Sequence, residues 1–509
     1  MSAIPADLPP LRGFALVLAT FALGLGSFMS FLDLSIANVS VPQIAGNLAV
    51  SPTQGTWVIT TYAMAEAISL PLTGWLGKRF GLVRVFGIST FIFTVASVMC
   101  SLSPTFAFLV VSRAIQGMAG ASMVPLAQAL LISCYPPHKR GFALGMWTIT
   151  AITAPIVAPL IGGWITENLS WRWVFLVNVP FGLIVVSVMA TIMRPRETQS
   201  MRIPVDWTGL ILLTVAVMSL QLMLDQGNHL DWFNSPLIIA LACVAGISAI
   251  VFVIWELTDE HPIVDLRLFK RRNFAIGSLC IFLGMISFFG TLVTLPLWMQ
   301  SYYGYTSLWA GKAIATGGLF AVVLGPLVGA NLHRLDARLV VTVGVIGFAA
   351  AAIGSGRFTP EVDFWTVAQT RLWIGIGISF FFLPLTAISM SGMHSTEFAA
   401  ASGLNNFVRI LGSSFGTAVM VSSWDRHGIG QHALMSEQIN PYSPAAVDYL
   451  ERLQALGLPP DATLAQVDRM INVQSYLNAT NWTLWTSGLL MLVLLVIIWW
   501  ARPPFVAKN

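Results

Sequence analysis

Apolar residues run in long blocks along this chain, and the polar positions are gathered into the gaps between them. A helix needs about 20 apolar residues to cross the hydrocarbon layer of a bilayer. Fourteen stretches reach roughly that length, at 14–40, 54–76, 82–101, 104–130, 139–163, 173–193, 205–225, 235–256, 274–297, 308–330, 339–355, 364–391, 398–423 and 479–500. The pattern predicts an all-α, polytopic membrane protein. Composition agrees, since 56% of the 509 residues are hydrophobic and only 9% are charged, more apolar sequence than a water-soluble core needs.

Charge adds an orientation. Of the 26 Lys and Arg, seventeen fall in the N-terminus, alternate loops and the C-terminus, and five (172, 357, 426, 452 and 469) fall on the other side. The remaining four (113, 312, 371 and 409) lie inside spans or at their edges. The bias of basic residues toward the cytoplasm places both termini there, which requires an even number of spans. The net charge of +4 follows from this topology and gives no sign of nucleic-acid binding. The first apolar run is too long for a signal-peptide core and is expected to stay. Cys100, Cys134, Cys243 and Cys280 are scattered and the seven His show no metal spacing, so neither disulfides nor a metal site is expected. Gly412 to Gly416 spells GSSFG, but mid-span it reads as small-residue helix packing and not as a nucleophile elbow.

The chain also repeats itself. Pro71-Leu72-x-Gly74 with Arg79 recurs as Pro326-Leu327-x-Gly329 with Arg334, and Arg113-x3-Gly117 recurs as Arg371-x3-Gly375. Two related six-helix halves are therefore expected, at 1–200 and 273–509, with two inserted helices and a cytoplasmic linker at 201–272. Paired halves around a central cavity are transporter architecture.

Five stretches then resemble one family in particular. They are Leu32-Asp33-x-Ser35-Ile36-Ala37-Asn38-Val39-x-Val41-Pro42, Gly55-Thr56-Trp57, Leu109-x3-Arg113-x2-Gln116-Gly117, Pro155-x3-Pro159-x2-Gly162-Gly163 and Trp171-Arg172-Trp173-x-Phe175-x2-Asn178-x-Pro180. Leu224-Asp225-x-Gly227, His261 to Leu266 and Ala401-Ser402-x-Leu404 continue the match. Almost end to end, the chain resembles the major facilitator superfamily, and within it the fourteen-span drug:proton antiporters, EmrB-like exporters above all, with FarB-like fatty-acid exporters close by. Two departures stand out. Lys78 occupies an acid's usual place in the loop motif Gly74-x-Leu76-Gly77-Lys78-Arg79-x-Gly81, which puts a charge relay at that cytoplasmic gate in doubt. Ala158 replaces the first glycine of the span-five antiporter motif formed with Pro159, Gly162 and Gly163.

Asp33 lies about 10 Å in from the outer end of its span, and Arg113 lies at similar depth. Lone charges at that depth are expensive, so both should pair or face a cavity. Asp33 is either a titrating carboxyl or half of a permanent ion pair, and the resemblance implies the former, with Arg113 assisting proton transfer. Glu66, in mid-span, is a second proton site, a contact for cationic substrate or a protonated hydrogen-bonding residue. Arg371 and Arg409 would line the cavity and meet an anionic head group, or else pair with backbone carbonyls. Pro155 and Pro159 would bend span five, and Gly162 and Gly163 would let it pack closely; in the family this motif accompanies exchange.

The segment 424–478 differs from every other connection. It carries six acids and a Pro-rich middle, faces the extracytoplasmic side, and has the spacing of an amphipathic helical hairpin. It is either a solvated cap or a docking surface. No GxxxxGK[ST] loop is present, which argues against an ATP-driven pump. The resemblance implies proton-driven export of hydrophobic or amphipathic compounds from the bacterial inner membrane, without a cofactor, alongside a periplasmic adaptor and an outer-membrane channel. A proton-coupled importer and a non-transporting membrane sensor are the alternatives. The span-five motif disfavours the importer, and the intramembrane charges disfavour the sensor.

Overall fold

The computed structural model describes residues 10–505 apart from 51, 56, 137, 138, 202, 203, 229, 261, 333, 394–396, 441 and 456–458. Thr56 and His261 of the family motifs therefore lie outside the described residues, as do the side chains of Asn38, Val39, Pro42 and Pro159. Among the described residues there are helices and no strands. The first part of the chain forms α1 (Gly13–Ile36), α2 (Val41–Asn47), α3 (Pro52–Gly55), α4 (Trp57–Ser69), α5 (Thr73–Phe80), α6 (Leu82–Ser101), α7 (Phe106–Cys134), α8 (Arg140–Asn168), α9 (Arg172–Leu176) and α10 (Asn178–Val188). Then come α11 (Trp207–Gln226) and α12 (Pro236–Thr258), and finally α13 (Arg272–Tyr303), α14 (Ser307–Asn331), α15 (Ala337–Ser355), α16 (Phe364–Ser389), α17 (Phe398–Ser436), α18 (Pro444–Ala455) and α19 (Pro460–Ile498).

Eleven helical segments among the described residues are long and apolar enough to cross a membrane, which does not by itself reach the expected fourteen. The other three expected stretches are helical as well, and two of them have a visible reason to fall short. Stretch 54–76 is cut into α4 and α5 at Leu70-Pro71-Leu72, where proline cannot extend the hydrogen-bond ladder and turn bonds from Thr73 to Leu70 (3.1 Å) take over. Stretch 398–423 belongs to α17, whose apolar character is diluted by Ser402, Asn405, Asn406 and Arg409. Stretch 139–163 lies in α8, which holds several side chains outside the described set.

One apolar core is built mainly from α1, α6, α7, α8 and α10, and a second from α13, α15, α16 and α19. The repeat seen in sequence recurs in packing. A Cβ at Gly117 on α7 would strike the carbonyl of Tyr62 on α4, and one at Gly375 on α16 would strike the carbonyl of Gly317 on α14. Only glycine lets these helices cross at backbone distance. The inserted α11 and α12 pack on a smaller cluster with Phe274, Met390 and Leu404.

Segment 424–478 is neither a loop nor a free-standing hairpin. α17 runs on to Ser436, α18 follows, and α19 starts at Pro460. At 39 residues each, α17 and α19 measure about 58 Å, almost twice the hydrocarbon thickness of about 30 Å. The hairpin expected from sequence forms as α18 against the start of α19, across which the Tyr449 hydroxyl donates to Met470 Sδ at 2.9 Å, and it sits on the extensions of α17 and α19. An aromatic cluster marks where the projection begins: Tyr302 stacks on Tyr476 at 4.3 Å, Trp424 lies 4.9 Å from Tyr476, and the Tyr476 hydroxyl donates to Asp425 at 2.8 Å.

Candidate functional site

Near the C-terminal end of α1, Asp33 is completely buried. Three donors from two other elements converge on its carboxylate. Arg113 on α7 donates through Nη1 to Oδ2, Gln116 donates through Nε2 to Oδ1 at 3.1 Å, and Asn178 donates through Nδ2 to Oδ1 at 2.9 Å. Arg113 and Gln116 are three residues apart, so one face of α7 presents both. Asn178 arrives because α9 stops after five residues and α10 begins with it. Arg113 is tied further: Nε donates to the Val58 carbonyl at 2.9 Å, Nη1 also donates to Gln116 Oε1 at 2.9 Å, and the guanidinium lies 4.2 Å from the Tyr62 ring and 5.5 Å from Phe175. A buried ion pair costs desolvation energy that good geometry and extra hydrogen bonds must offset, and such bonds are present for both carboxylate oxygens and for Nε and Nη1 of Arg113, while its Nη2 is buried without a partner.

A second pair of charges sits beside this cage. Glu66 on α4 is buried, and its Oε2 has no hydrogen-bond partner. Arg409, Asp33 and Arg113 are the charges around it. Half-buried Arg409 comes from α17 and lies over Phe31 of α1 at 4.7 Å and near Trp147 of α8 at 6.0 Å. A helix of the later part of the chain thus places a cation on an aromatic wall built by the first part.

Arg371 does not join them. It is buried between helices of the later part, where Nη1 donates to Thr291 Oγ1 at 3.2 Å and Nη2 to the Thr291 carbonyl at 3.1 Å. Its partners are thus a backbone carbonyl, one of the two expectations for this arginine, and the hydroxyl of the same residue. The reason is visible in the numbering, because the offset of 258 that carries Arg113 to Arg371 carries Asp33 to Thr291. The arginine is duplicated and the acid is not.

Pro155 and Pro159 fall within α8, which stays helical from Arg140 to Asn168. Gly162 packs on α1, where an added Cβ would lie 2.8 Å from the Ile36 carbonyl, and Gly163 is buried beside it. At the expected cytoplasmic end, Gly74 on α5 meets α17: a Cβ there would lie 2.6 Å from the Cβ and 2.7 Å from the Cα of Ala400. A Cβ at Gly145 on α8 would lie 3.3 Å from the Gly325 carbonyl of α14, and Ser402 donates to Gln128 on α7. The two parts of the chain are pressed together at this end.

Arg79 lies over Trp75 at 5.1 Å. Gly81 has φ of 92°, a conformation that suits glycine, and its missing side chain leaves room for Glu197. That carboxylate accepts from the backbone of Val83 (3.1 Å) and Arg84 (2.7 Å), so an acid distant in sequence satisfies the start of α6 while Lys78 stands exposed nearby.

Gln116 and Asn178 stood in the sequence motifs without a role, and Ser97, which accepts from Gln116 at 2.8 Å, drew no notice at all. The available signal was that amides inside a membrane span need partners.

Known proteins can now be set beside this geometry. Residues 23–417 match the Major Facilitator Superfamily. The chain is 44% identical to the multidrug export protein EmrB of Haemophilus influenzae over 98% of each chain, and 44% identical to EmrB of Escherichia coli (strain K12) with the same coverage. It is 42% identical to the fatty acid resistance protein FarB of Neisseria gonorrhoeae, again over 98% of each. Among solved structures, the human organic anion transporter TETRAN superposes with a TM-score of 0.61 at 12% identity, covering 96% of this chain and 100% of that one. The proton:xylose symporter XylE gives 0.59 at 12% identity, covering 95% of each, and both likenesses concern the fold alone.

Proposed function

The chain belongs to the major facilitator superfamily, a family of membrane transporters and not of enzymes, and within it we propose that this protein is a proton-driven exporter of hydrophobic and amphipathic toxic compounds. The observation that carries the reading is the wholly buried Asp33, held by Arg113, Gln116 and Asn178, with Glu66 and Arg409 as the neighbouring charges. With the outer side open, water and a proton reach Asp33, and its neutral form releases Arg113. With the cytoplasmic side open, the proton leaves and the ion pair re-forms. Substrate enters from the inner leaflet or cytoplasm and meets the cavity wall of Phe31, Trp147, Glu66 and Arg409. There Arg409 suits anionic head groups and Glu66 suits cationic ones. The names of the EmrB and FarB relatives support drugs and fatty acids as the substrate range.

The energy suffices. A potential of about 100 mV supplies about 2.3 kcal/mol per proton, and each 1.4 kcal/mol is tenfold in concentration, so one proton per cycle sustains a gradient of tens of fold. The excess of basic residues in alternate loops supports both termini in the cytoplasm, with the chain in a bacterial inner membrane. The α17–α19 projection then points into the periplasm, which supports partnership with an adaptor and an outer-membrane channel.

Reconstituted vesicles test the core of this reading. Addition of drugs, bile salts or fatty acids is expected to move protons against the substrate in the native protein and to move none in Asp33→Asn, which remains folded and inserted. Full proton movement in Asp33→Asn removes Asp33 from the mechanism.

A further inference from the structure

A carboxyl that gains and loses a proton inside close-packed helices needs acceptor-side company in one state and donor-side company in the other. Charged Asp33 has three donors. Once protonated, its O–H must find an acceptor or stay buried and unpaired, a costly state. The surroundings offer few. Arg113 has no acceptor atom. Gln116 is locked at both ends: its oxygen takes Arg113 Nη1 at 2.9 Å and Cys100 Sγ at 3.5 Å, and its nitrogen serves Ser97 and Asp33. Turning that amide over would aim its NH2 at a guanidinium.

Asn178 is different. Its Nδ2 is used on Asp33, while its Oδ1 is buried without any partner. Rotation of the amide by half a turn exchanges the two atoms and sacrifices nothing on the oxygen side. We infer that Asn178 is the positioning residue that carries Asp33 through its protonation change, donating to the carboxylate and, turned over, accepting from the carboxyl. This rests on the reading of Asp33 as the proton carrier. One proton is bound by Asp33, none by the amide, and no covalent bond to Asn178 forms or breaks.

Other charges around Asp33 are accounted for. α7 brings Arg113, α4 brings Tyr62 and Glu66, α6 brings Cys100 and α17 brings Arg409. α10 carries no charged residue, and α8 carries only Arg140 and Glu167 at its two ends. Glu66 Oε2 is also buried without a partner, but Asn178 is the residue that already bonds Asp33 Oδ1, at 2.9 Å, and holds an unoccupied acceptor on the same amide.

Infrared difference spectra of the full-length protein in lipid, recorded between low and high pH, read the carboxyl directly. The band lost in Asp33→Asn belongs to Asp33. In Asn178→Leu this band is expected to move to higher wavenumber, as an unbonded carboxyl does. The pH midpoint of substrate-driven proton movement should rise at the same time, because a carboxylate loses more with its donor than a neutral carboxyl loses with its acceptor; the change is a few-fold to about tenfold in proton affinity, up to about one pH unit. Asn178→Ser, whose hydroxyl can donate or accept, should return both readouts toward the native values. If Asn178→Leu does not insert, Asn178→Ala carries the same test without added bulk. An Asp33 band that stays in place in the Leu or Ala variant overturns the inference. Loss of no band in Asp33→Asn sinks the proton-carrier reading itself, and the inference with it.

Discussion

Gly74→Ala is expected to open the cytoplasmic side. The added methyl would lie 2.6 Å from the Cβ and 2.7 Å from the Cα of Ala400, and neither atom can swing away as the tip of a flexible side chain could. Overpacking of this kind costs about 1–3 kcal/mol. Because α5 and α17 come from the two parts of the chain that must separate for the cytoplasmic side to open, the cost falls on the closed conformation alone. The open population should therefore grow about 5- to 150-fold. Ser402→Cys in a background where Cys100, Cys134, Cys243 and Cys280 are Ser gives the readout: an impermeant thiol reagent added to inside-out vesicles should label it faster by that factor when Gly74→Ala is present. Adding Ala400→Gly should restore slow labelling in part only, since the Cα remains at 2.7 Å. Equal labelling rates with and without Gly74→Ala, at equal stability, would refute the idea that this contact closes the gate.

Three other outcomes are expected. Glu66→Gln should impair export of cationic substrates more than anionic ones; equal losses would assign Glu66 a general proton or structural role. Arg409→Ala should raise the half-saturating concentration of fatty-acid anions roughly tenfold, in line with loss of one hydrogen bond to a charged group, while Arg371→Met leaves it unchanged; a rise in the second variant would place Arg371 on the substrate path after all. Replacing residues 430–472 by a short Gly/Ser linker, which keeps the Trp424–Tyr476 cluster, should preserve vesicle antiport and abolish co-purification of a periplasmic adaptor; intact co-purification would move docking to the membrane-embedded helices.

What could be read from the chain follows from what each signal depends on. The apolar stretches were legible because burial in lipid acts on composition, and each of the fourteen corresponds to helix. Asp33 and Arg113 were legible as partners because a membrane tolerates neither alone. Asn178 was not, for its contact with Asp33 spans 145 positions and exists only once α9 ends and α10 packs on α1. For Arg371 the sequence left two settings open, because repetition preserved its type and position while the partner position changed from Asp33 to Thr291. The Gly81–Glu197 arrangement was hidden for a related reason: the loop motif suggested that an acid should stand at 78, whereas the fold brings one from 116 positions away. Helical periodicity in 443–477 was real and corresponds to α18 and the first part of α19, but periodicity says nothing of where a helix begins or ends, and α17 and α19 each run without a break between an apolar stretch and this segment.

That last point bears on mechanism. α17 carries Ala400 and Ser402 at the closed end, Arg409 over Phe31 and Trp147, and Asp425 at the base of the projection before it ends at Ser436. It is fixed sideways as well, since Trp232 between α11 and α12 donates to Ser422 at 2.6 Å and Arg426 pairs with Asp231 at 3.1 Å. From Ala400 to Ser436 is about 54 Å of continuous helix. A tilt of roughly 10° about the closed end would displace the far tip by about 9 Å. The Gly74–Ala400 contact cannot be released by tilting α17 without moving its Ser436 end. A partner bound to α17–α19 would therefore be displaced once per cycle, and a partner that held the tip still would hold the gate shut.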